Sequence, residues 1–349
     1  MTNFDDFKAA IEGISGGKNT ARLDKYGLPS VLVPIAKMTY ADVGVGTSDV
    51  LPAFMLDGVE KDYFCAGKYL DTLVNGVPCS LPMQIPAVSV NFDNALAQSR
   101  SKGEGWTLMT NAMYAAIALL CRKSGFMPRG NNNYGQDVSC PWEKGIAANK
   151  GSDGRPNLTL TGSGPASWCH NNDITGICDL NGNAWEWTAG LRLYNGEIQI
   201  IPYNNAALST ADHGASSTLW KAIAADGSLV APGDSGSLKY DYRDGKITLV
   251  SGALTGQADS GRGSGFTSLG TTLSTAPQLI HGLGLYPKDP GGDYGGDDVY
   301  MNNSGERLPI RGGDWGSTAS AGVFSLHLGV PRSHVHGSIG RRSGFVGSL

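Results

Sequence analysis

An α+β fold rich in long loops is predicted by three features of the sequence. Helical periodicity is confined to the first third of the chain, short alternating apolar runs accompany and follow it, and glycine supplies 50 of the 349 residues. That glycine content is about twice the usual roughly 7%. Without a G-x-y period it points to tight turns and irregular loops on a compact body rather than to collagen.

The elements follow in chain order. Residues 4–15 place Phe4, Phe7, Ile11 and Ile14 on one helical face, and Gly16-Gly17 ends the helix. Residues 30–35 and 52–56 are β-like runs, and residues 62–70 and 71–80 follow with Asn75-Gly76 as a hairpin turn. Residues 91–102 read as a helix capped by Asn91 or Asp93, with Phe92, Ala95 and Leu96 on one face. The strongest helix is 110–123. Thr110 or Asn111 caps it, Met113, Ile117, Leu120 and Cys121 face inward, and Arg122-Lys123 sit at its negative end. Beyond Ser124-Gly125 helices largely stop, and polar glycine loops cover 130–137, 149–167 and 226–236. Residues 237–242 and 246–251 flank Arg243-Asp244-Gly245, a second hairpin signal, before the acidic glycine loop 291–298.

Charge excludes some functions. The formal net charge is −4 and no Lys/Arg run occurs, so an electrostatic nucleic-acid binder is not expected. The N-terminus carries early acids and no apolar h-region, which predicts cytosolic synthesis without a signal peptide. The longest apolar run, 115–121, is too short to span a bilayer, so no membrane insertion is expected. None of the six cysteines forms C-x-x-C or another zinc spacing. Their even number permits disulfides, but a cytosolic origin favours buried free thiols.

The tail from Arg311 onward carries the clearest functional pattern. Phe324, Leu326 and Leu328 alternate with Ser325, His327 and Gly329, as in a strand with one buried face. Apolar anchors (Trp315, Phe324, Leu326, Leu328, Ile339, Phe345) are interspersed with small and polar residues in no regular order, the texture of a scaffold displaying a surface. Three of the six histidines, His327, His334 and His336, fall here. A metal site needs further ligands, and Asp314 is the only acid after Glu306, so the histidines are read as contact residues and no metal is expected. Two earlier segments read as structural. In Gly182-Asn-Ala-Trp-Glu-Trp187 the tryptophans and a buried, paired Glu186 would hold a core, and residues 105–120 run from a strand into a capped helix.

In this order the three segments resemble the formylglycine-generating-enzyme (sulfatase-modifying-factor) branch of the C-type-lectin fold. Its R-L-P-T-E-x-E-W-E-x-A-A, G-N-V-W-E-W and R-G-G-S-W patterns correspond to a degenerate Thr107-Leu-Met-Thr-Asn-Ala-Met-Tyr-Ala-Ala116, to Gly182–Trp187, and to Arg311-Gly312-Gly313-Asp314-Trp315. The resemblance covers about 28–349. It implies a C-type-lectin-like domain after an N-terminal helical segment (1–27), with a large insertion over 192–298 and scaffold roles for Trp185, Glu186, Trp187, Arg311, Gly312, Gly313 and Trp315. Catalytic groups are missing: the oxidising enzymes carry cysteines after R-G-G-S-W, whereas this chain has none after Cys178. A binder rather than an enzyme is therefore expected.

The tail, residues 311–345, also resembles the variable region of proteins diversified by retroelements, phage tropism determinants among them. In that family adenine mutagenesis of Asn codons reaches most amino acids but never Lys, Glu, Gln, Met or Trp, and from Asp314 to Leu349 those occur only as Trp315. The resemblance implies ligand-facing, variable positions at Asp314, Gly316, Ser317, Ala319, Ser320, Ser325, His327, Gly329, Val330, His334, His336, Gly337, Ser338 and Arg341. It further implies a protein or glycan receptor on a cell surface, a place in a virion or tail fibre, and homo-oligomerisation or many copies per particle to strengthen weak single contacts.

Three rivals remain. One is a formylglycine-generating-like enzyme, for which Asp314, His334 and a serine would have to form a triad. Another is a calcium-dependent lectin. Some relatives hold structural calcium near the W-E-W segment, and loop 289–298 is rich in oxygen ligands without an EF-hand pattern. The third is a particle protein with no ligand. No cofactor is expected beyond such a structural calcium.

Overall fold

The computed structural model describes residues 2–349. Four α-helices occur among them: α1 (Asn3–Ser15), α2 (Phe92–Arg100), α3 (Asn111–Ser124) and the short α4 (Gln278–Gly282). Local chemistry explains their ends. Thr2 and Asp5 form a capping box at α1, Asn91 caps α2, and the Thr110 hydroxyl accepts the Met113 N–H at α3. Gly16 and Gly125 close α1 and α3 with φ near 60° and 71°. The face expected on α1 is only partly used, because Phe4, Phe7 and Ile11 are half-buried while Ile14 is 77% exposed. By contrast α3 is buried on nearly every side, from Asn111 through Leu119 and again at Cys121. Such a helix lies inside the core rather than on it.

Around α3 stand two sheets. The smaller has the order Thr20–Leu23, Pro29–Ala36, Tyr63–Gly67, Ser343–Phe345, Trp106–Leu108. The last strand of the chain is thus inserted between two early ones, and the junction expected at 27/28 falls inside the hairpin of the first two. The larger, 13-stranded sheet runs from Arg262–Gly265 through Asp298–Met301, Gly322–Val330, Glu306–Gly312, Leu191–Tyr194, Glu197–Ile200, Leu238–Arg243 and Lys246–Ser251 to Gly270–Thr271. Trp185–Trp187 branches from Glu306–Gly312 and pairs in parallel with Ile339–Arg341. Strands of the 192–298 segment therefore continue the same sheet, starting at the Leu193↔Arg307 pair. Both hairpin turns read from sequence are present, with positive φ at Asn75-Gly76 and Asp244-Gly245.

The core has two principal compartments. Met113 and Ile117 of α3 pack with Leu193, Ile198, Leu249, Phe324, Leu326 and Leu328. Across the sheet, Trp185, Trp187, Leu308, Ile310 and Ile339 pack with Phe92 and Leu96 of α2. The central strands are thus covered on both faces, and each fully buried Phe or Leu contributes about 2 kcal/mol from apolar burial.

The cysteines require a correction. Cys169 and Cys178 form a disulfide, because the intervening turn brings them opposite each other with Cα atoms 4.0 Å apart. Cys65, Cys79 and Cys121 are buried free thiols, and Cys140 is half-buried. Among the described residues no helix is long and apolar enough to cross a membrane.

Candidate ligand-binding surface

Strand Glu306–Gly312 ends in Arg311-Gly312-Gly313, and each residue of that motif has a structural task. The Arg311 guanidinium is wholly buried and donates to Asn111 Oδ1 (2.7 and 3.1 Å), Leu283 O (3.1 Å) and Gly284 O (3.3 Å). It ties the start of α3 and the end of α4 to the sheet. Gly312 and Gly313 have φ near 95° and 87°, and a Cβ on Gly313 would lie 2.5 Å from that of Ala321. Trp315 anchors the following loop against Leu70, Leu158 and Ala184.

Main-chain bonds fix that loop. Thr318 N donates to Asn132 O (2.8 Å) and Tyr134 N to Trp315 O (2.8 Å). Within it, Asp314 Oδ1 accepts from Gly316 N (3.0 Å) and the Ser317 hydroxyl (2.9 Å). The chain then enters strand Gly322–Val330 through an irregularity, since Gly312 pairs with Gly322 but Arg311 pairs with Leu326. Asp297 holds this bulge. Its buried carboxyl accepts the Phe324 N–H at 2.6 Å, burial pushes its pKa well above the usual carboxylate range, and a Cβ on Gly322 would sit 2.1 Å from its Oδ1.

Beyond the bulge, Phe324, Leu326 and Leu328 point into the α3 compartment, while His327 lies on the other face in a ring cluster. Its centroid is 5.3 Å from Tyr300 and 5.7 Å from Trp185, and burial lowers its pKa to about 4, so the imidazole is neutral. The His334 and His336 rings stack 6.3 Å apart.

Solvent reaches only part of the expected set. Gly316, Ala319, His336 and Gly337 are exposed, and Asp314, Ser317, Ser320, His327, Gly329, Val330 and His334 are half-buried. Ser325, Ser338 and Arg341 are buried, and this corrects their expected ligand-facing role. Ser325 lies in the bulge of a strand flanked on both sides. The Ser338 carbonyl accepts the Trp185 N–H at 2.9 Å. Arg341 pairs with Trp187 in the adjoining parallel strand, and its charge faces buried Asp71. Tyr300, Tyr134 and Arg155 belong to the neighbourhood although the sequence reading passed over them. The Arg155 guanidinium stacks 3.5 Å above the Tyr134 ring, whose hydroxyl would lie 3.3 Å from a Cβ at Gly316. Tyr300 alternates with Val299 and Met301, and that period-2 pattern was the available signal.

Similar solved structures include a variable protein and a tropism determinant. Treponema denticola variable protein 1 is 12% identical with a TM-score of 0.35, over 94% of this chain and 98% of that one. A Major Tropism Determinant U1 variant is 11% identical with a TM-score of 0.31, over 90% of this chain and 63% of that one. No family model and no curated protein matches the sequence.

The chemistry available at the surface is that of small hydroxyl, glycine and imidazole groups beside aromatic rings. Asp314 Oδ1 accepts from the Ser317 hydroxyl and the Gly316 N–H. The Asn131, Asn181 and Asn183 side-chain oxygens already accept protein N–H groups, and among the described residues no three His, Cys, Asp or Glu side chains converge on a metal position.

Proposed function

We propose that this chain is a non-enzymatic, variable receptor-binding protein. It displays the exposed and half-exposed residues of 314–337 on a C-type-lectin-like scaffold of the formylglycine-generating-enzyme type. The partner is a protein or glycan on a cell surface, and the setting is a virion or tail fibre bearing many copies.

The observation that carries this reading is the way loop 313–321 is held. Its attachment to the body runs through main-chain bonds at Trp315 and Thr318 and through the Trp315 ring, leaving Gly316 and Ala319 with no part in the core. Strand Gly322–Val330 is anchored by Phe324, Leu326 and Leu328, each 0% exposed. A backbone fixed in this way accepts different side chains without reordering, which lowers the entropic cost of binding.

DNA flanking the gene tests the proposal. The expected finding is a near-copy of the segment encoding residues 314–341, differing only where the copy has adenine, beside a reverse transcriptase gene. Neither feature within a few kilobases would overturn diversification, and failure of the purified protein to bind any cell surface would overturn receptor binding.

A further inference from the structure

Away from the tail, a hollow of about 490 Å³ opens between the loop after strand Pro29–Ala36, the end of strand Glu197–Ile200, the turn at Asp226 and the start of α4. No residue of the tail lines it. Its size lies within the ordinary range for small-ligand sites.

The lining is of a definite kind. Tyr40 and Tyr203 supply aromatic surface, Asp49, Glu60 and Asp226 supply carboxylates, and none of the lining residues is basic. Tyr40 is only 5% exposed, yet its hydroxyl has no hydrogen-bond partner among the described residues and faces the hollow it shares with Asp49 and Tyr203. Gly282 makes room for this ring, because a Cβ there would lie 2.4 Å from it. Tyr203 is 50% exposed and holds φ near 57°, a left-handed conformation costly for a non-glycine residue. That strain is unexplained by core packing, since the ring lies outside it.

Local donors hold two of the carboxylates, Asp49 and Asp226, in their ionised form. Asp49 accepts from the Thr47 hydroxyl (2.7 Å) and from Gln278 Nε2 (3.1 Å), which lowers its pKa below the usual range. The Ser228 hydroxyl (2.7 Å) and N–H (2.9 Å) do the same for Asp226. One oxygen of each engages these donors, and the other is free. Lys37 takes Glu60 Oε2 at 3.1 Å and leaves Oε1.

We propose that this hollow binds a small organic cation carrying an ammonium group, held by the free oxygens of Asp49, Glu60 and Asp226 and flanked by Tyr40 and Tyr203. The exposed Tyr203 ring and the free carboxylate oxygens both favour a positive guest, and a neutral or anionic one gains from neither.

Calorimetry on the full chain tests this with choline, cadaverine and the neutral choline isostere 3,3-dimethylbutan-1-ol. At least one cation should bind saturably and about tenfold or more tightly than the isostere. Tyr203→Gly removes the ring and relieves the strained φ, so it should weaken binding about tenfold without lowering the melting temperature. Asp226→Asn should weaken binding about threefold or more. Ala319→Lys and His336→Glu in the tail should leave it unchanged. Equal binding of cation and isostere, binding that survives both Tyr203→Gly and Asp226→Asn, or loss of binding on the tail changes would each overturn the proposal. None of these outcomes bears on the tail as a receptor surface.

Discussion

Arg342 grips Glu186 through two parallel hydrogen bonds, Nη2 to Oε1 at 2.7 Å and Nε to Oε2 at 2.8 Å, with the two side chains 0% and 1% exposed. The same guanidinium donates to Gly67 O and Cys178 O, so it joins the W-E-W strand to the smaller sheet and to the disulfide turn. Removing one partner leaves the other charge buried and alone. Glu186→Leu should therefore cost about 3–5 kcal/mol, read from the urea midpoint. A loss below about 1 kcal/mol would show that the pair does not hold the framework.

Asp179, next to this pair, gives a pH dependence. Burial raises its pKa to about 6, above the ordinary 3.8, although the Gly162 N–H bond opposes the shift. The folded state thus holds this proton more tightly than the unfolded state. Its contribution is fully present below about pH 4 and is lost as pH rises through about 6. Asp179→Asn keeps an acceptor and suits the positive φ there, so it should raise stability at pH 7 by roughly 1–3 kcal/mol and flatten the stability profile between those values. Unchanged pH profiles for the two proteins would argue against a protonated Asp179.

Exposed and buried tail positions should separate cleanly in melting experiments. Ala319→Lys and Gly337→Glu touch nothing in the core, and each should shift stability by no more than about 0.5 kcal/mol. Ser325→Lys forces a charge into a sealed site, Arg341→Glu sets a second acid against buried Asp71, and each should cost about 3 kcal/mol or more. Similar losses in both groups would remove the distinction on which the proposed surface rests.

Neighbouring positions on the surface are coupled. A Cβ at Gly329 would lie 2.7 Å from His327 Cε1, at the far end of a side chain that can turn. Gly329→Ala should displace the ring from Trp185 and shift the His327 Cε1 proton resonance, at a cost of about 1 kcal/mol. In the His327→Ala background the same change should cost almost nothing. Additive effects would exclude the coupling.

Local features were legible in the chain itself. The caps at Asn91 and Thr110, the turns at Asn75-Gly76 and Asp244-Gly245, and the alternation of Phe324, Leu326 and Leu328 depend on residues a few positions apart, and each is present in the structure. So is the apolar framework beneath the candidate surface. Tertiary structure decided the rest. Alternation shows which face of a strand is apolar, but not whether the other face is covered, and Ser325 is covered. Ser338 and Arg341 are buried because a parallel strand beside Trp185–Trp187 takes them in, a pairing that no local pattern encodes. The same holds for Asp297 at the bulge, for Arg342 as the partner of Glu186, and for the last strand lying between Tyr63–Gly67 and Trp106–Leu108. Short-range periodicity sets what each segment prefers, whereas burial depends on which distant segment arrives to cover it, and that is settled only when the whole chain has packed.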